Sequence, residues 1–129
     1  FNVSKQLNRG VILLTYMSHK GASEGYGQTI IDPATGQQTP QYIQFAKKAV
    51  QWNPDGVVVG ATYPEKIAEI KKILADKVAI YSPGIGTQGG TAQLAVKSGA
   101  DYLIVGREIT LADDPTAAAK RLIMAIREN

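Results

Sequence analysis

Four short apolar runs, each leading towards a segment of helical periodicity, constrain this chain more than any other feature. Val11-Ile12-Leu13-Leu14-Thr15-Tyr16-Met17 is continuous rather than alternating, as expected of a strand covered on both faces. Gly56-Val57-Val58-Val59-Gly60, Val78-Ala79-Ile80-Tyr81 and Tyr102-Leu103-Ile104-Val105 repeat that character. Thr39-Pro40 reads as an N-cap with a proline at the first helical position, and Ile43, Ala46, Ala49 and Val50 then share one face. Pro64 opens a second helix with Ile67, Ile70, Ile73 and Leu74 as its stripe. Thr91 to Ser98 is a short third, closed by Gly99 as a left-handed cap. Asp114-Pro115 opens the last, with Ala118, Leu122, Ala125 and Ile126 inward, and residues 1–10 read as a helix tail ending at Gly10. The alternation predicts a parallel α/β sheet in a single domain over residues 1–129, with no linker.

Composition removes several function classes. With 44% hydrophobic and 19% charged residues the chain is neither disordered nor fibrous. The 14 Lys and Arg against 11 Asp and Glu leave +3, but Lys47, Lys66, Lys97 and Lys120 are interspersed with acids, so no nucleic-acid partner is expected. Lys47-Lys48 and Lys71-Lys72 read as solvated helix faces. Absence of cysteine rules out disulfides, thiolate zinc and thiol nucleophiles, and the single histidine, His19, cannot build a multi-His metal site. No apolar run reaches the roughly 18 residues of a membrane span, so a cytoplasmic setting is expected. The chain opens on Phe1 rather than Met, which predicts further residues upstream. Lys20 to Thr39, rich in Gly, Ser, Gln and Thr around an Asp32-Pro33-Ala34-Thr35-Gly36 turn, reads as a long mobile loop, either a tolerated insertion or an active-site or interface loop.

Chemistry concentrates in two glycine segments. In Ser82-Pro83-Gly84-Ile85-Gly86-Thr87-Gln88-Gly89-Gly90, between a strand and a helix, Gly86, Gly89 and Gly90 permit turns that aim backbone N–H groups at an anion. The helix after Thr91 adds its positive end, and Gln88 an amide donor. A ligand-free glycine turn is the alternative. Read literally, Gly84 to Gly89 is also G-x-G-x-x-G, with Glu108 placed as a ribose acid, so a dinucleotide site is a rival. Val105-Gly106-Arg107 is the second segment: Gly106 lets a ligand approach the backbone, and Arg107 offers a fork for phosphate oxygens. The alternative for Arg107 is an ion pair with Glu108 or Asp113.

Tyr16-Met17-Ser18-His19, the Ser82–Gly90 loop, Gly99-Ala100-Asp101-Tyr102-Leu103-Ile104-Val105-Gly106-Arg107 and Ala112-Asp113-Asp114-Pro115 together resemble the archaeal-type orotidine 5′-phosphate decarboxylases. The resemblance runs through nearly the whole chain, apart from residues 20–39. It implies a (β/α)₈ TIM-type barrel of which this chain is about half, strands five to eight with their helices. It also implies that Ser18 hydrogen-bonds the pyrimidine ring or its amide partner near the Pro83-Gly84-Ile85 turn, that Gln88, Gly106 and Arg107 hold the 5′-phosphate, and that the loop Pro83, Gly84, Ile85, Gly86, Thr87, Gln88, Gly89 and Gly90 closes over the nucleotide. His19 is then structural, and no metal or organic cofactor is needed. Tyr63 and Thr110 depart from the arginine and aromatic that related enzymes often carry beside that loop. The family's Asp-x-Lys-x-x-Asp array, which crowds the substrate carboxylate and protonates the product carbon, has no counterpart here; Asp76-Lys77 is adjacent, not spaced.

These features predict a substrate-gripping half without catalytic residues of its own. Orotidine 5′-phosphate or UMP would be its ligand, and an N-terminal half-barrel or a second copy its partner, with a homodimer as the expected assembly. The rivals are a metal-dependent sugar-phosphate barrel enzyme (a hexulose-phosphate synthase or keto-gulonate-phosphate decarboxylase) and a non-catalytic phosphate-binding half-barrel.

Overall fold

In the computed structural model, which describes residues 1–127, the order is α1 (Asn2–Gln6), β1 (Ile12–Tyr16), α2 (Ala22–Tyr26), β2 (Thr29–Ile31), β3 (Gln38–Pro40), α3 (Gln41–Trp52), β4 (Gly56–Val59), α4 (Pro64–Leu74), β5 (Ala79–Pro83), α5 (Ala92–Lys97), β6 (Tyr102–Ile104), α6 (Arg107–Thr110) and α7 (Pro115–Arg127). The four apolar runs are the four strands of one sheet, ordered β1-β4-β5-β6 and parallel throughout. Parallel neighbours require a crossover, and α3, α4 and α5 supply one each.

The pairing register divides the sheet into two unlike faces. Leu13, Tyr16, Val57, Val59, Ile80, Ser82 and Leu103 share the face against the helices. There Tyr42, Ala46, Ala49, Ile67, Ile70, Leu74, Ala92 and Ala95 complete a buried cluster. Ile12, Leu14, Gly56, Val58, Ala79, Tyr81, Tyr102 and Ile104 share the other face. Burial on both faces, expected from the continuous apolar runs, is not what the structure shows: Ile12 is 51%, Leu14 44%, Tyr102 55% and Ile104 48% exposed. On that face Tyr81 stacks on Tyr102 with centroids 4.7 Å apart, and its ring lies over Gly56.

Local signals place most helix ends. Pro64 is the first residue of α4, Thr91 Oγ1 accepts the Leu94 N–H at 3.3 Å, and Gly99 follows α5 at φ +108°. Asp114 Oδ1 accepts the Ala117 N–H at 2.9 Å at the start of α7. Two expectations need correction. Pro40 is the N-cap of α3 rather than its first residue, because Thr39 is held in β3 by pairing with Ile30. The first helix ends at Gln6, and Asn8 at φ +51°, not Gly10, makes the left-handed turn.

Residues 20–39 are not a structureless loop. They form α2 and an antiparallel hairpin of β2 and β3. Asp32, 3% exposed, organises the turn: its carboxylate accepts the Ala34 N–H at 2.9 Å and pairs with Lys47 of α3 at 2.6 Å. Lys47 lies on an exposed helix face, as expected, and its ammonium also anchors the turn. Lys71 likewise bridges Asp76 at 2.8 Å and Asp101 at 2.9 Å. The Lys47 hydrogen bond, helped by the Ala34 N–H, lowers the Asp32 carboxyl from 3.8 to about 2. A depressed carboxyl stabilises the fold above its unfolded value, so this contribution is lost as pH falls from 3.8 towards about 2. Amide-exchange protection of the hairpin should fall through that window in the native chain. In Asp32→Asn it should be lower and flat, and identical pH profiles would refute the anchor.

Candidate functional site

Because the sheet is parallel, the segments leaving β1, β4, β5 and β6 emerge at one edge, the end where α/β sheets place their ligands. Ser18 follows β1, Gly60 to Tyr63 follow β4, Gly84 to Gly90 follow β5, and Gly106 and Arg107 follow β6. A bulge prepares the first of these. Leu14 pairs with Val58 and Tyr16 with Val59, so Thr15 is an extra residue, and Tyr16 turns to the helix face. There Tyr16 packs against Tyr26, Tyr42 and Tyr63 at 5.9, 5.4 and 5.1 Å between centroids. Burial, then the neighbouring Tyr63, pushes the Tyr16 hydroxyl above its ordinary range, keeping it neutral.

The glycine loop is closed mainly on itself. Gly84, Gly86 and Gly89 take φ of +97°, +74° and +95°, conformations that other residues rarely adopt. The Gly86 N–H donates to Gly90 at 2.9 Å, Gly89 to Gly86 at 2.7 Å and Gly90 to Gly84 at 3.1 Å. The N–H groups of these three glycines therefore do not face an anion, as the sequence suggested; they hold the loop's shape. Thr87 and Gln88, at its tip, keep their backbone donors free among the described residues.

Ser18 and Gln88 meet across Gly84. A Cβ on Gly84 would lie 2.8 Å from Ser18 Cβ and 3.0 Å from Gln88 Oε1, so only glycine fits between them. Pro83, Gly84, Ile85, Thr87, Gln88, Ile104, Gly106 and Arg107 line one cavity of about 200 Å³. Gly106 is open, with nothing within 4 Å of where its Cβ would be. Arg107 begins α6 and forms no ion pair with Glu108, Asp113 or any other described residue. Its guanidinium is thus available on the cavity wall, and the structural ion-pair alternative is not realised.

Of the expected residues, Gly86, Gly89 and Gly90 shape the loop and do not line this cavity; Ser18 borders Gly84 beside it. The Glu108 carboxylate lies against Gly86. A negative charge on the second glycine of a G-x-G-x-x-G turn opposes a pyrophosphate there, which counts against the dinucleotide alternative. His19 is exposed, and its carbonyl accepts the Ala22 N–H at 3.0 Å. No cluster of three or more His, Cys, Asp or Glu placed to hold a metal occurs among the described residues, and no described helix is long and apolar enough to cross a membrane.

Sequence reasoning missed Gly60. A Cβ there would lie 2.5 Å from Ser18 Cα, 2.7 Å from Ser18 N and 2.8 Å from Met17 C. Gly60 therefore lets the chain carrying Ser18 cross the end of β4, and the available signal was a glycine ending a Val-Val-Val run.

The sequence profile described as "Orotidine 5'-phosphate decarboxylase / HUMPS family" matches residues 1–122. The chain is 37% identical over 120 residues to an orotidine 5′-phosphate decarboxylase of Methanococcoides burtonii, covering 93% of this chain and 50% of that protein. Identity is 42% over 117 residues with the enzyme of that name from Pyrococcus horikoshii, covering 91% and 50%. The structure superposes with a TM-score of 0.80 and 30% identity on Methanocaldococcus jannaschii orotidine 5′-monophosphate decarboxylase complexed with the inhibitor BMP, covering 97% of this chain and 53% of that one. The chain thus spans about half the length of the curated relatives it matches. Strand order, the placement of the glycine loop and this sequence match agree: the chain belongs to the orotidine 5′-phosphate decarboxylase/HUMPS family.

Proposed function

We propose that this chain is the substrate-gripping half of an orotidine 5′-phosphate decarboxylase, with Gln88, Gly106 and Arg107 holding the 5′-phosphate and Ser18 meeting the pyrimidine. The observation that carries the reading is the cavity lined by Gln88, an open Gly106 and an Arg107 with no ion pair among the described residues, with Ser18 beside Gly84 at its border. A guanidinium and an amide lining one cavity suit a phosphate dianion, and an uncovered glycine lets it approach the main chain. The loop of residues 83–90 closes over the nucleotide, and binding energy from the phosphate drives that closure.

The reacting end belongs to the other half of the barrel. An N-terminal half-barrel would pair with the free edges of β1 and β6 and cover Ile12, Leu14, Tyr102 and Ile104, relieving both unpaired edges and the exposed apolar face. Its Asp-x-Lys-x-x-Asp array would crowd the substrate carboxylate, and its lysine would protonate the carbon left by CO₂. The reaction so read uses no metal or organic cofactor. A cytoplasmic homodimer of complete barrels is the assembly that fits this reading.

Binding measurements test the grip. In the assembled barrel, Arg107→Ala should weaken UMP about ten- to a hundredfold, because a charge-assisted contact is lost. Uridine, which lacks the phosphate, should lose almost nothing. Calorimetry of both ligands, with circular dichroism to confirm folding, makes the comparison, and equal losses would assign Arg107 to the fold instead.

A further inference from the structure

The main chain carrying Ser18 is gripped by the two residues that precede α4. Thr62 Oγ1 donates to the Ser18 carbonyl at 2.8 Å, and the Tyr63 hydroxyl donates to the His19 carbonyl at 2.9 Å. Tyr63 is itself held twice. It is the N-cap residue of α4, so its backbone is set by the helix, and its ring stands edge-on to Tyr16 at 5.1 Å and 74°. Tyr16 is 2% exposed and sits beyond the bulge in β1, so the aromatic contact ties Tyr63 to the core. The Ser18 hydroxyl makes no hydrogen bond among the described residues and remains available to a ligand, while both clamping bonds use main-chain carbonyls. Gly60 brings this strand end close enough for the clamp to form.

We infer that Tyr63 is a positioning residue whose hydroxyl, by fixing the His19 carbonyl, sets where Ser18 meets the base of a bound nucleotide. This inference rests on the nucleotide reading above. Its consequence is selective. Gln88 and Arg107 follow different strands from Ser18, and Tyr63 makes no hydrogen bond to either, so the clamp acts directly on Ser18 and not on the phosphate ligands. Tyr63 should therefore contribute to recognition of the base and not of the phosphate.

The test uses this chain assembled with a complementary N-terminal half-barrel, titrated with UMP and with ribose 5-phosphate. Tyr63→Phe keeps the ring against Tyr16 and removes only the hydroxyl. UMP should bind about three- to tenfold more weakly, as expected for one hydrogen bond, and ribose 5-phosphate should be unchanged. Thr62→Val, which frees the Ser18 carbonyl, should give the same split. Unchanged UMP affinity in Tyr63→Phe would overturn the inference while leaving the nucleotide reading intact. Equal weakening of both ligands would also overturn it, by assigning the hydroxyl to general stability. An unmodified protein that binds UMP no better than ribose 5-phosphate would refute the nucleotide reading itself and take the inference with it.

Discussion

Purified alone, the 129-residue chain should yield no UMP from orotidine 5′-phosphate, and mixing it with the N-terminal half of a relative should restore turnover. The expected effect is the whole of catalysis, because the proposed function puts the two tasks on different halves. On the proposed reading the residues at the described strand ends hold the nucleotide, and the sequence carries no Asp-x-Lys-x-x-Asp array to destabilise a carboxylate and return a proton to carbon. Grip without that array binds substrate and product and lowers no barrier, since only interactions stronger in the transition state accelerate the reaction. The measurement follows loss of substrate absorbance with the chain, with the partner half and with the mixture. Turnover by the chain alone, above the rate of a preparation carrying Arg107→Ala, would show the chemistry to lie within these residues.

Gly60→Ala should be the most damaging single substitution at the site. The added carbon would meet Ser18 Cα at 2.5 Å, Ser18 N at 2.7 Å and Met17 C at 2.8 Å, all of them main chain. A side chain could rotate away; two paired strand ends cannot. Forcing β1 and β4 apart there should cost about 3 kcal/mol, lowering Tm by roughly 10 °C. The same displacement moves Ser18 away from Gly84, so UMP affinity in the assembled barrel should fall with it. Gly25→Ala is the control. Gly25 lies within α2, its Cβ would meet nothing within 4 Å, and the change should raise stability by roughly 0.5 kcal/mol. Thermal melts of both variants decide the matter: equal shifts would mean that the close approach at Gly60 is not what limits substitution there.

The two glycines show how differently sequence and structure speak. Gly60 ends a Val-Val-Val run and Gly25 follows Ala22-Ser23-Glu24, but neither context says what a side chain there would meet. What separates them is whether another strand crosses overhead. The same holds for Asp32, whose partner Lys47 lies on the next helix, and for Tyr63, whose hydroxyl reaches a carbonyl 44 residues earlier. The hairpin between Lys20 and Thr39 escaped notice because its strands are three residues each and carry mostly polar or exposed side chains. Short pieces of that kind have no periodicity to read.

By itself the sequence determined the four strand–helix units, the start of α4 at Pro64, the capping side chains Thr91 and Asp114 just before α5 and α7, the glycine loop after β5, and Arg107 after β6. Each of these is written in adjacent residues: continuous apolar runs, capping side chains, and glycines whose backbone freedom a turn requires. Only the tertiary structure decided that Thr15 bulges and turns Tyr16 to the helices, that one face of the sheet is left open, that the loop's glycine N–H groups close on one another, and that Glu108 rests on Gly86. Parallel strands are joined by crossovers, so residues far apart in the chain become neighbours in register. The pairing that fixes their faces and contacts is a property of the sheet, not of any segment within it.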